Sequence, residues 1–240
     1  MRLHLLIAFI ILSFNIYSQK IDRFFESIDF NGEGNDFVFY ELLASENDSD
    51  SLLLPLNFSS SKKSIISTLL IISKNDTISG IKSEIVNRNG IEFINIDFDS
   101  IYSNFRLIVK FSVESFFRFS DEKISDYGNY SVKRVFQNTT FSGIKNFHSE
   151  LVLPEGFNVT SITETLPKQK SEETDVPYEL SKVNNRTTIL MKSSNLKLGD
   201  NVMINFRFKE SEKSFLLMIL LLIIAALYLY SFRDLVKNNN

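Results

Sequence analysis

The stretch FRLIVKFSV, residues 105–113, sets Phe105, Leu107, Val109, Phe111 and Val113 at every second position, with Arg106, Ile108, Lys110 and Ser112 between them. Successive side chains of a strand point to opposite faces, so this pattern makes one face apolar and the other mixed. A helix would scatter the same five residues around its axis. VMINFRF, residues 202–208, repeats the pattern with Val202, Ile204, Phe206 and Phe208. Less regular apolar runs occur at 37–43, 65–72, 91–98, 130–136, 147–153 and 187–191. Between the two ends no stretch holds a helical period for a dozen residues. The 23 Phe residues suit a pleated, half-buried surface. The expected fold class is therefore all-β, an Ig-like β-sandwich ectodomain of one large or two small sandwiches.

The ends read differently. Arg2, the apolar run Leu5–Leu12 and the small-residue site before Gln19 predict a signal peptide over 1–18. Residues 215–232 form 18 positions without charge, Pro or Gly, about 27 Å as a helix, which matches the hydrocarbon layer of a bilayer. A transmembrane helix is expected over 214–232, with Tyr228, Tyr230 and Arg233 at the interface and 233–240 as a cytoplasmic tail. The layout predicts a single-pass protein of the cytoplasmic (inner) membrane with its ectodomain in the periplasm or outside the cell. Two ectodomain parts are expected, an N-terminal β domain over 19–125 and a membrane-proximal sandwich over 126–212. The polar segment Asp121–Asn129 marks the break, and Glu164–Pro177 reads as a long exposed loop.

Turn chemistry punctuates the strands. Asn184-Asn185 supplies the left-handed residues of a hairpin, and Leu198-Gly199-Asp200 turns the chain before Asn201. YSVKRVFQNTTFSGIKNFHSELVLPEGFNVTSI, residues 130–162, resembles the first half of the Ig-like repeat domains of prokaryotic surface-layer proteins and adhesins. Asn138 and the Leu153-Pro154-Glu155-Gly156 turn occupy the places of the family's Asn turn and LP-x-G turn. SNLKLGDNVMINFRF, residues 194–208, is similar to its closing leucine–glycine turn and strand; Thr139 stands where the family usually has Gly. The resemblance implies a structural or interaction module and carries over no catalytic residue.

The chemistry available is narrow. No cysteine is present, which removes disulfides, thiol catalysis, Cys-based metal sites and a lipid-modified Cys. Outside the signal, His148 is the only histidine, and it reads as a strand residue beside Ser149 and Glu150. In DFNGEGNDFVFYE, residues 29–41, Asp29, Asn31, Glu33 and Asn35 fall at calcium-loop spacing with Gly34 at the turn, but the twelfth position is Tyr40 and no helices flank it. A plain Gly/Asn turn is the expected reading. Asp97 and Asp99 share a strand face at i and i+2, as a solvated edge with Ile96 and Phe98 pointing inward. Seven Asn-x-Ser/Thr sequons, at Asn47, Asn57, Asn75, Asn129, Asn138, Asn158 and Asn185, would be glycan acceptors only where the export pathway has the transferase. The formal charge of −3 and the lack of a Lys/Arg stripe argue against nucleic acid. Lys62-Lys63 and Lys133-Arg134 read as solvated pairs.

The expected function is a non-enzymatic, membrane-anchored ectodomain, without cofactor, that acts as a binding, adaptor or structural component of a cell-envelope complex. Its expected partners are the bilayer and an envelope protein. The alternatives are an exported carbohydrate-active hydrolase using Asp97, Asp99 and Glu150, and a receptor subunit signalling through a membrane partner.

Overall fold

Period-two sequences become strands because each can bury one face and leave the other wet. The computed structural model describes residues 19–31, 34–45, 47–58, 62–73, 76–114, 129–167, 177–211 and 215–237. The expected signal peptide, the 125/126 boundary and Glu33 lie outside the described residues.

Fourteen strands follow one another among the described residues. The first eight are β1 (Lys20–Asp29), β2 (Asn35–Ser45), β3 (Ser51–Pro55), β4 (Lys63–Ser73), β5 (Asp76–Ser79), β6 (Ser83–Arg88), β7 (Ile91–Asp97) and β8 (Asn104–Glu114). The others are β9 (Tyr130–Gln137), β10 (Gly143–Val152), β11 (Phe157–Leu166), β12 (Tyr178–Val183), β13 (Arg186–Lys197) and β14 (Asn201–Glu210). They make an eight-stranded sheet in the order β12-β13-β10-β1-β2-β8-β4-β5 and two three-stranded sheets, β11-β14-β9 and β3-β7-β6. β1 is the hinge of this topology. It runs antiparallel to β2 and parallel to β10, so sequence-distant halves of the chain meet along it.

The large sheet buries one face. Phe24 of β1 is in register with Leu42 of β2, Leu42 with Leu107 of β8, and Leu107 with Leu70 of β4, and all four are buried. Both small sheets cover that face. Phe24 meets Phe136 of β9 at a ring-centroid distance of 5.1 Å, and Phe136 meets Phe147 of β10 at 4.3 Å. On the other side, Tyr40 Oη donates to the Pro55 carbonyl of β3 (3.3 Å). Leu52, Leu54, Ile94 and Ile96 belong to the same buried cluster. The mostly-β expectation holds, and the five alternating residues of β8 and the four of β14 are all buried. The two stretches expected as separate domains share the eight-stranded sheet, since β10, β12 and β13 lie beside β1, β2 and β8.

The turns follow their chemistry. Asn184 (φ 49°) and Asn185 (φ 64°) take the left-handed conformation between β12 and β13, and Gly156 (φ 84°) closes the Leu153–Gly156 turn. The expected exposed loop begins later than Glu164, because β11 runs to Leu166.

Contacts divide the chain after Lys209, and the second unit contains a helix, α1 (Phe215–Lys237). Among the residues whose side chains are described, no helix is long and apolar enough to cross a membrane; the uninterrupted described run is Ile219–Tyr228. Every described side chain of α1 is exposed.

Phe24 touches Tyr40 on the large sheet, Phe136 on the covering β9 and Phe141 in the β9–β10 connection. Phe24→Ala should therefore cost about 3–5 kcal/mol, seen as a lower denaturant midpoint at unchanged m.

Candidate functional site

The core is not wholly apolar. Glu26 of β1 points inward at the position an alternating strand reserves for a core residue, and it is 0% exposed. Its register partners are Tyr40 on β2 and Ser149 on β10. Arg134 of β9, 1% exposed, reaches it from the covering sheet: Nε donates to Glu26 Oε1 (3.1 Å), and Nη2 pairs with Oε2. Ser149 Oγ adds a third donor to Oε1 at 2.6 Å. Arg134 Nη1 donates to the carbonyls of Asn57 (2.5 Å) and Val135 (2.8 Å), and the guanidinium lies 4.3 Å from the Phe58 ring centroid. A buried charge is tolerable only when its lone pairs and protons are met in this way. Burial pushes the Tyr40 phenol well above its ordinary range, and the Glu26 charge adds to that. Burial works against the charge on Arg134, but the Glu26 carboxylate overrides it and raises the guanidinium further. With Glu26 and Arg134 partnered by each other, by Ser149 and by two backbone carbonyls, the cluster clamps β9 to the large sheet.

Sequence reading missed the clamp because Arg134 stands beside exposed Lys133. The reading of Lys133-Arg134 as a solvated pair is corrected: the strand alternation turns Lys133 out and Arg134 in. Lys62-Lys63 needs the same correction in part, since the Lys63 side chain is covered and pairs with Glu92.

A cavity of about 450 Å³ opens against the β3-β7-β6 sheet. Ser51 and Leu53 of β3, Phe93 and Asn95 of β7, and Gln19 just before β1 form part of its wall. Arg88 and Asn89 come from the β6–β7 hairpin, where Asn89 (φ 55°) and Gly90 (φ 83°) supply the left-handed residues. That Asn-Gly pair is the sequence signal that could have located the hairpin. Thr139 and Thr140, from the β9–β10 connection, complete the wall. Their Oγ1 atoms are buried without a hydrogen-bond partner, the only such side-chain atoms among the described residues.

The residues singled out from sequence are dispersed. Asp97 and Asp99 line a smaller cavity of about 220 Å³ with Lys82 and Tyr102. Asp97 accepts from Asn95 Nδ2 (2.9 Å) and faces Lys82 Nζ at 3.4 Å, while Ile96 and Phe98 are buried. Glu150 is on β10 of the large sheet, where it accepts from Ser27 Oγ (3.2 Å). Of the calcium-loop residues, Asp29 pairs with Arg186, whose Nη1 donates to Oδ2 at 3.0 Å. Asn31 and Asn35 are exposed at the ends of the β1–β2 turn, and the Asn31 amide donates to Asp36 Oδ1 (2.8 Å). Among the described residues no three His, Asp or Glu side chains gather as a metal site. Two sequons are consumed by the fold. Asn138, 0% exposed, donates to the Phe141 carbonyl (2.9 Å) and accepts from its amide (3.0 Å). Asn47, also buried, bridges Gln19 (2.8 Å) and the Ser49 carbonyl (2.8 Å).

No family model matches the chain, and no curated protein does. Solved structures do resemble it. A protein of Parabacteroides distasonis provisionally assigned as a protease aligns at TM-score 0.44 and 8% identity, over 79% of this chain and 40% of its own. The M1 zinc metallopeptidase of Deinococcus radiodurans aligns at TM-score 0.45 and 8% identity, over 79% and 42%. Its E323A mutant with a Tyr-Ser-Ala substrate gives 0.46, 8%, 79% and 42%. The chain thus spans about two fifths of the length of these proteins, and at such scores the likeness carries no functional argument.

His148 is in register with Phe25 on one side and Lys192 on the other. Burial first, then the charges of Lys192 and Arg23, hold its imidazole below the ordinary value, against a smaller opposing effect of Glu179. Its charged form is therefore disfavoured in the fold. The contribution of neutral His148 to stability is complete above about pH 6.5 and is lost as pH falls towards its folded value. NMR titration should place its midpoint below about 6.5, and Lys192→Met should raise that midpoint.

Proposed function

We propose that this chain is a membrane-anchored β domain that acts by binding, as an adaptor or structural component of a cell-envelope complex, and not by catalysis. The observation that carries the reading is α1. Large apolar side chains such as Leu220, Leu222, Ile224 and Leu227 are exposed on it, and so are Tyr228 and Tyr230 towards its end. A soluble surface rarely leaves so much contiguous apolar area open. The helical backbone spans Phe215–Lys237, and its first 18 residues carry no charge. A helix of that length and composition has the dimensions of a bilayer core, and the tyrosines suit its interface.

The β unit supports the binding role by its economy of charge. Glu26 and Arg134 are paired with each other in the core, Asp97 faces Lys82, and Glu150 lies on β10 away from Asp97 and Asp99, where it accepts from Ser27. The Ig-like character of residues 130–208 belongs to the same proposal. β10, β12 and β13 lie in one sheet and β9, β11 and β14 in another, the two-sheet division such modules use.

The test is fractionation of cells making the full-length chain. The protein should sediment with membranes and resist an alkaline carbonate wash, and protease added outside the cytoplasmic membrane should digest the β unit. Recovery of the full-length chain in the soluble fraction would overturn the anchor, and protection of the β unit from protease would overturn the orientation.

A further inference from the structure

We propose that the free edge of β12 pairs with the β12 of a second copy of this chain, antiparallel and centred on Leu180, so that two eight-stranded sheets join into one. The inference stands whether or not α1 crosses a membrane, because it rests on the β unit alone.

β12 ends the large sheet on one side and β5 ends it on the other. The two edges are built differently. β5 is only Asp76–Ser79, mostly polar, and its register with β4 shifts between Ile71 and Ser73. A short polar edge beside an irregular ladder resists further pairing. β12 keeps an unbroken register with β13 from Tyr178↔Met191 to Val183↔Arg186 and contains neither Pro nor Gly. Every residue of it after Tyr178 is exposed. Ile28, Leu151 and Ile189 form one fully buried row across three strands, and Leu180 is the next residue in that row. It is 51% exposed. Leu180 therefore carries the core-facing row one strand beyond its cover, to an edge with nothing that blocks a further strand.

Backbone parity sets the pattern of that edge. Successive residues of a strand turn their N–H and C=O groups to opposite neighbours. The Lys192 amide donates to the Pro177 carbonyl (3.3 Å), so Pro177, Glu179, Ser181 and Val183 face β13. Tyr178, Leu180 and Lys182 then turn theirs to the open side. An antiparallel partner must set residues of this second kind opposite one another, which leaves few registers for two copies. Centring on Glu179 or on Lys182 opposes like charges on the axis, which is destabilising. Centring on Ser181 sets apolar Leu180 against charged Lys182. Centring on Leu180 sets that residue against its own copy, Tyr178 against Lys182 and Glu179 against Ser181, with about six backbone hydrogen bonds. An apolar side chain then meets an apolar one, and a cation meets an aromatic ring. The strand is complementary to itself, as a two-fold interface requires.

The experiment is light scattering on the detergent-solubilised full-length chain during size-exclusion chromatography, joined to disulfide trapping. The unaltered chain should show the protein mass of two copies. Leu180→Lys opposes like charges on the axis and should raise the dimer dissociation constant about tenfold or more. Because Leu180 is exposed, the thermal midpoint of the monomer should not change. The chain has no cysteine, so one introduced thiol reports one position. Leu180→Cys lies beside its own copy, at the roughly 4.4–6.8 Å Cα separation a disulfide needs, and should trap the dimer on mild oxidation. Val183→Cys, at a residue of similar exposure, lies about 20 Å from its copy in this register and should not. Should Leu180→Lys lower the monomer midpoint, the two cysteine variants carry the test alone. A monomer at every concentration, a dimer undiminished by Leu180→Lys, no trapping at Leu180, or equal trapping at Val183 would each overturn the proposal. The anchor is tested separately, by fractionation.

Discussion

The contact between Glu26 and Arg134 joins the two halves of the chain inside the core. Glu26 lies on β1, the strand that β2 and β10 both pair with, and Arg134 comes from the sheet that covers it. Apolar packing sets how close two sheets lie, about 10 Å. A two-point ion pair with Ser149 as a third donor adds directional contacts that hold in one relative placement. The clamp therefore fixes which residues of the covering sheet meet which residues of the large one, alongside the packing of the Phe24, Phe136 and Phe147 rings. Its contribution is positional more than energetic. A buried ion pair often adds little net stability over apolar residues of the same volume, but removing one partner costs about 3–5 kcal/mol.

The larger cavity lies against one small sheet: its described wall comes from β3, β6 and β7, from Gln19 ahead of β1, and from Thr139 and Thr140 in the connection after β9. Thr139 and Thr140 follow Arg134 by one turn of connection, and the Asn57 side chain donates to the Gln137 carbonyl (3.0 Å), tying the segment after β3 to β9.

Much of the fold was legible, and what was not has a physical cause. β8 and β14 announce themselves because one face is apolar without exception. The turns at Asn184-Asn185 and Leu153–Gly156 were equally plain, since only residues tolerant of positive φ fit them. β1, the centre of the large sheet, was hidden. Its inward row is Phe24, Glu26 and Ile28, and a carboxylate in the middle breaks the apolar alternation that marks a strand. The division at 125/126 followed a real composition shift, but parallel pairing of β1 with β10 is a long-range fact that no local pattern encodes. Arg134 was misread because sequence shows charge and not direction. The cavity residues were invisible for a related reason: Thr139 and Thr140 read as part of a glycan sequon, while the buried Asn138 amide is spent on the turn.

The most direct test of the clamp is a double-mutant cycle on Glu26→Gln and Arg134→Met, with unfolding free energies from denaturant titration. Each single change should cost about 3–5 kcal/mol, and the double variant should lose clearly less than the sum, because the second change removes the charge stranded by the first. Additive losses, or single losses of under about 1 kcal/mol, would contradict the account and leave the sheets held by apolar packing alone.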